Sequence, residues 1–190
     1  SEAEQHPDLI EKKLKSSIEK SLDGKLRPAQ EYMREHSEDN LVEIATKGSG
    51  KTEAALLWLD GEKGFYTLPM MVSSDAIYDR IRERYGYKEA ALLHSGSMNK
   101  FLKESSEKGD GYSRYEKAKL LSAPLTVCTV DQLFKFSYKA AGTEIFAATL
   151  KYSKVVIDEI QSYSPRVVAA LIYGLKTISE TVSYTHLRAH

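Results

Sequence analysis

The chain of 190 residues has one cysteine, no net charge and no long apolar run, and each shortage removes a class of function. Cys128 alone cannot close an intrachain disulfide or build a cysteine-rich zinc site, and within Leu125-Thr126-Val127-Cys128 it reads as an inert core residue. The 27 basic and 27 acidic residues cancel, so the broad positive field of a dedicated nucleic-acid binder is missing and any such contact must be local. The longest apolar stretch, Val167 to Leu175, has nine residues, against the roughly 18 needed to span a bilayer. The start is polar and acidic, without the basic and apolar regions of a signal peptide, so no membrane partner is expected and the cytoplasm is. There is no internal repeat. A composition of 42% hydrophobic and 28% charged residues is that of one globular domain with a substantial core.

What is present is concentrated in two motifs. Ala45-Thr46-Lys47-Gly48-Ser49-Gly50-Lys51-Thr52 is a phosphate-binding loop of the A-x-x-G-x-G-K-T kind, entered from the apolar run Leu41-Val42-Glu43-Ile44. Gly48 and Gly50 let backbone N–H groups close around phosphate oxygens, Lys51 reaches the outer phosphates, and the Thr52 hydroxyl can ligate Mg²⁺. A strand is expected over 41–44 and a helix from near Thr52, because Thr52 to Leu59 contains no breaker; its N-terminus favours an anion. The second motif is Val155-Val156-Ile157-Asp158-Glu159-Ile160, a buried-strand pattern ending in two carboxylates. In that setting Asp158 holds Mg²⁺ through its water shell and Glu159 polarises the attacking water. ATP and Mg²⁺ are the ligands this pair of motifs predicts. A glycine-rich turn and a solvated strand exit are the bland alternatives for each motif alone. Their joint occurrence in this order argues against both.

The remaining elements are read from periodicity. Ile10, Leu14, Ile18 and Leu22 recur every four residues, predicting a lead-in amphipathic helix within residues 1–24. Pro28 suits the first turn of another helix running to about Met33, and the polar link from Glu35 to Asn40 leads on to the first strand. Strands are expected at Phe65–Leu68, Ala90–Leu93, Leu125–Cys128 and Val155–Asp158, and helices at Ala76–Tyr85 (capped by Ser74-Asp75), Glu144–Lys151 and Pro165–Ile178. Alternation of this sort implies an α/β fold, a three-layer parallel sheet with helices on both faces. From Asn99 to Lys119, ten of 21 residues are charged, which reads as a solvated loop or insertion; Lys100, Lys103, Arg114 and Lys119 in it are weak candidates for DNA contact. His94 reads as the end of a strand in preference to a catalytic group.

These motifs in this order resemble a superfamily 2 helicase, and more particularly the CRISPR-associated helicases of type I interference. Lys25-Leu26-Arg27-Pro28-Ala29-Gln30 is similar to the upstream glutamine motif, which implies that Gln30 reads the adenine edge. Leu68-Pro69-Met70 with Ala76-Ile77-Tyr78-Asp79-Arg80 resembles the L-P-T and A-x-x-Y-x-R segment. Thr129-Val130-Asp131-Gln132-Leu133 resembles T-x-D-Q, and Asp158-Glu159-Ile160-Gln161 the D-E-x-H or D-E-x-Q box. The resemblance covers about Lys25 to Ile178 and implies the first RecA-like domain, residues 25–180. It further implies that Pro69, Ser73, Thr129 and Gln132 lie along a single-stranded DNA track and that Gln161 couples the nucleotide site to a second domain. Capping by Thr129 and Asp131 and a plain surface role for Gln132 stay open beside this. Two departures stand out: Met70 replaces the usual threonine, and Gln161 the commoner histidine.

The implied activity is an ATP-dependent DNA helicase or translocase in CRISPR antiviral interference, working with a guide-RNA surveillance complex and a metal-dependent nuclease. The nuclease would need a His-Asp doublet, and none occurs among His6, His36, His94, His186 and His190, so it is expected elsewhere. A second RecA-like domain is also expected outside this chain, leaving the chain alone weakly active or inactive. Residues 181–190 break the preceding periodicity and are expected to be a non-native tail. Another superfamily 2 motor, acting on RNA or in repair, and a nucleotide-dependent binding module without translocation are the competing functions.

Overall fold

Short strands made almost wholly of apolar residues need cover on both faces, and the computed structural model of the chain provides it. It describes residues 7–44, 46, 48–59, 61–105, 111–133, 148–150 and 152–181. Helices α1 (Pro7–Ser21) and α2 (Pro28–Glu35) precede the phosphate loop and α3 (Lys51–Leu59) leaves it. Then follow β1 (Gly64–Leu68), α4 (Met71–Asp79) with a π-helical turn Arg80–Arg84, β2 (Ala90–Leu93), α5 (Ser97–Ser105), α6 (Gly111–Lys119) and β3 (Leu125–Thr129). The short α7 (Val130–Leu133), β4 (Lys154–Ile157), a 3₁₀ turn Ile160–Ser162 and α8 (Pro165–Thr181) complete the order.

The four strands form one parallel sheet in the order β2-β3-β1-β4. Because side chains alternate along a strand, each strand feeds two cores. Tyr66, Leu68, Leu92, Val127 and Val156 point to the face covered by α3 and α4, where Leu57, Trp58, Tyr78 and Ile81 fill the space. Phe65, Leu93, Cys128, Val155 and Ile157 point to the other face, against Leu171 and Leu175 of α8. Helices on both faces of a parallel sheet make this the α/β, RecA-like architecture that the sequence predicts. Cys128 is buried and burial pushes its thiol far up, as expected of an inert core residue.

Five expectations need correction or limits. The segment 41–44 is not a strand: among the described residues β4 is the sheet edge, and Val42 and Ile44 are 75% and 95% exposed. A strand outside β4 needs cover on both faces, and here only the alternate residues Leu41 and Glu43 are partly covered. Helix α4 starts at Met71, not at Ala76, since the Ser74 hydroxyl donates back to the Met70 carbonyl at 3.0 Å from within the helix instead of capping it. The charged stretch 99–119 is largely helical. Phe101 is buried against Tyr78 and Tyr115 in edge-to-face contact, so apolar anchors hidden among the charges fold α5 and α6 onto the core. The expected helix at 144–151 lies outside the described residues except for helical 148–150, and of the expected tail 181–190, Thr181 ends α8 while 182–190 lie outside the described residues.

His94 follows β2 and is buried, its Nδ1 accepting from the Gly96 N–H at 3.0 Å and its Nε2 meeting Asp75 Oδ1 at 3.1 Å. It is a strand-end residue, as read from sequence. Lys100 bridges Asp79 at 2.7 Å and Asp75 at 3.3 Å; burial alone would lower its pKa, but the two carboxylates outweigh that and raise it. Arg114 donates to the Tyr78 hydroxyl.

Candidate nucleotide site

The phosphate loop takes its shape from glycines. Gly48 and Gly50 have φ of +81° and +91°, a region that costs other residues roughly 1 kcal/mol or more. The loop is pinned from behind by α2. Arg27 Nη1 donates to the Gly48 carbonyl at 2.8 Å and Gln30 Nε2 to the Gly50 carbonyl at 3.2 Å, while Gln30 Oε1 accepts the Arg27 N–H at 2.9 Å. Gln30 is only 1% exposed, and a Cβ added to Gly50 would run into its amide nitrogen. Ser49 N–H closes on the Thr46 carbonyl at 3.2 Å, and α3 begins at Lys51 with its free N–H groups toward the loop. Ala45 and Lys47 lie outside the described residues.

The paired acids reach the same place by sheet register. β1 pairs with β4 up to Thr67 opposite Ile157, and the Asp158 N–H extends the ladder to the Thr67 carbonyl at 3.0 Å. This delivers the Asp158 carboxylate above Tyr66, whose hydroxyl donates to Oδ2 at 2.7 Å; Oδ1 accepts the Glu159 N–H at 2.7 Å. Tyr66 is buried, and burial first, then the charge and hydrogen bond of Asp158, hold its hydroxyl well above the usual range, while the Thr52 hydroxyl, bonding to it in turn, pulls the other way. Glu159 is left-handed, with φ 52° and ψ 40°, before the turn closed by Ser162 N–H on its carbonyl at 2.8 Å.

Thr52 and Asp158 thus form an all-oxygen donor pair on one cleft. Among the described residues no group of three His, Cys, Asp or Glu could hold a metal. A single carboxylate and a hydroxyl suit Mg²⁺, which retains waters and takes phosphate oxygens for the rest, so the residues present fit that ion.

An open cleft of about 860 Å³ unites Gln30, Gly48, Gly50, Lys51, Thr52, Asp158, Glu159 and Gln161, with Ser73 on its wall. Thr129 and Gln132 are buried elsewhere, Gln132 Nε2 donating to Asp131 Oδ2 at 2.8 Å, and Pro69 is half-buried at the end of β1. Of the expected DNA-track residues, Ser73 alone faces this cleft. Glu43 sits behind Lys51. Burial pushes its carboxyl up, Lys51 pulls it back and Asp158 pushes it further up, with a net rise. A raised acid contributes stability that is complete below the unfolded carboxyl pKa and is lost as pH climbs through the folded value. Glu43→Gln removes that loss, so its melting temperature should match wild type near pH 4 and exceed it by on the order of 1–2 °C at pH 7. A constant offset across that range in thermal melts would contradict this.

Sequence reasoning passed over three arginines that line the cleft and one residue buried beneath it. Tyr66 is the clearest: a phenol in the middle of a buried strand must find a partner, a signal that was available. Arg27 and Arg80 lay inside recognised motif strings without a role. Arg80 Nη1 approaches Thr52 Oγ1 at 3.4 Å, and Arg84 lines the same cleft from the π turn. The π turn itself has no sequence signature here. It returns Tyr85 to Glu53, whose carboxylate it meets at 2.5 Å.

No family model matches the chain. It is 33% identical over 147 residues to the CRISPR-associated nuclease/helicase Cas3 of Methanothermobacter thermautotrophicus, a match that takes in 74% of this chain and 18% of that protein. The crystal structure of T. fusca Cas3 is similar with a TM-score of 0.70 at 23% identity, covering 91% of this chain and 21% of that one. The crystal structure of T. fusca Cas3-ATP gives a TM-score of 0.65 at 21% identity, over 90% and 21%. The chain therefore spans about a fifth of the length of the proteins it resembles.

Proposed function

We propose that this chain, a superfamily 2 RecA-like domain of the Cas3 kind, binds Mg-ATP and serves as the first motor domain of an ATP-dependent DNA translocase in CRISPR interference. The observation that carries the reading is convergence. A glycine loop running into a lysine at a helix N-terminus and two carboxylates at a strand end share one cleft with a buried glutamine, although they come from three separate segments.

The roles follow from chemistry and position. Backbone N–H groups of Gly48 to Thr52 and the Lys51 ammonium hold the phosphates. Thr52 and Asp158 would hold Mg²⁺, which when bound neutralises charge on the outer phosphates. Glu159 orients and polarises the attacking water. A carboxamide has two donor hydrogens and two acceptor lone pairs; Gln30 spends one of each on Gly50 and Arg27, leaving the other pair for an adenine edge. Gln161, exposed at the rim, is placed to report nucleotide state to a second RecA-like domain. That domain supplies an arginine finger worth about 10³ to 10⁵ in rate, so the chain by itself turns ATP over very slowly. Pro69, Ser73, Thr129 and Gln132 lie along the single-strand track, Pro69 and Ser73 being the more exposed of the four. The guide-RNA surveillance complex and the nuclease complete the machine from other parts of the assembly.

Titration calorimetry with Mg-ATP and Mg-GTP tests the binding half of this reading. Saturable one-to-one binding that favours ATP is expected, and Gln30→Ala should narrow the preference. A folded chain that binds neither nucleotide, alone or with a second RecA-like domain restored, overturns it.

A further inference from the structure

One buried group holds a residue to which metal binding is assigned. The Tyr66 hydroxyl donates to Asp158 Oδ2 at 2.7 Å. Tyr66 itself is 1% exposed and held between α3 and the sheet, so its oxygen is fixed by packing. Asp158, by contrast, stands at a strand end and is partly exposed, braced otherwise, among the described residues, by the neighbouring Glu159 N–H at 2.7 Å. A carboxylate in that position rotates about its side-chain bonds unless a rigid donor holds it.

We propose that Tyr66 is a positioning residue that sets the Asp158 carboxylate in the arrangement that receives the divalent cation, making nucleotide binding metal-dependent. This rests on the nucleotide reading above. It concerns a residue three positions before Pro69, on the strand beside β4, outside both the phosphate loop and the acid pair. With Tyr66 donating to Oδ2 and the Glu159 N–H to Oδ1, each carboxylate oxygen keeps a lone pair for the cation. The phenol does not line the cleft, so its removal acts through Asp158 and not by direct contact with the nucleotide.

The test measures affinity for a non-hydrolysable ATP analogue with excess Mg²⁺ and with EDTA, in wild type, Tyr66→Phe and Tyr66→Leu, with thermal melts in EDTA. Wild type should bind more tightly with Mg²⁺. Tyr66→Phe should cut that gain by about tenfold, the effect of one hydrogen bond to a charged group, while its affinity in EDTA stays at the wild-type value and its metal-free melt stays cooperative, lowered only by the lost hydrogen bond. Tyr66→Leu should show the same reduced gain despite its poorer packing. A full metal gain in Tyr66→Phe, or equal weakening with and without Mg²⁺, overturns the role of Tyr66 and leaves the nucleotide site intact. Failure of wild type to bind the analogue under either condition overturns the nucleotide reading and this inference with it.

Discussion

Lys51→Ala is expected to weaken Mg-ATP binding by about 100-fold or more, with the fold unchanged. The lysine opens α3 directly behind two glycines in left-handed conformation, so its ammonium projects where the loop N–H groups converge. Two charge-assisted hydrogen bonds to phosphate oxygens are each worth about 1.5–3 kcal/mol, and every 1.4 kcal/mol is about tenfold in affinity. The loop does not need the lysine for its shape. It is held by Arg27 and Gln30 on the carbonyls of Gly48 and Gly50 and by Ser49 on Thr46. Circular dichroism of the variant should therefore overlay wild type while calorimetry shows the loss. Retained micromolar binding would mean that the anion is held by Arg27, Arg80 or Arg84 instead, all three of which line the same cleft.

Glu159 is expected to show opposite effects on stability and turnover. Its left-handed backbone costs a residue with a Cβ roughly 1 kcal/mol relative to glycine. Glu159→Gly should therefore raise the melting temperature by about 2–4 °C for a domain of this size. Yet both Glu159→Gly and Glu159→Gln should lower hydrolysis by about 10²- to 10⁴-fold when a second RecA-like domain is present, because the water loses its polarising carboxylate. Nucleotide affinity should change little, since binding rests on the loop and Asp158. The strain is then a cost of placing the carboxylate, held by the register that draws Asp158 N–H onto Thr67 and by the turn closing on Ser162. Unchanged hydrolysis in Glu159→Gln, assayed by phosphate release, would remove this residue from the reaction.

Much of the fold was legible because its signals are local. Each of β1 to β4 is a short apolar run, and the ends observed fall within a residue or so of those read from periodicity. The segment 41–44 has the same apolar look but pairs with no strand among the described residues, and a run of four residues cannot report whether a neighbour exists. The stretch 99–119 misled in the opposite direction. Its charges dominate composition, but Phe101 and Ala118 are buried and decide that it folds as helices. The start of α4 was misplaced because Ser74 has the chemistry of a cap and uses it from inside the helix.

The division at the site has the same cause. The phosphate loop, Lys51, Thr52 and the acid pair were determined by the sequence alone, since each motif carries its chemistry in consecutive residues whose backbone shape follows from glycine and from strand ends. What only the tertiary structure decided depends on register between strands and on the docking of α2. Tyr66 lies beneath Asp158 because Thr67 pairs opposite Ile157. Gln30 braces Gly50 because α2 packs across α3, and Thr129 and Gln132 turn inward because α7 folds directly off β3. Such long-range contacts are free energies of the whole packed sheet, and no short stretch of sequence contains them.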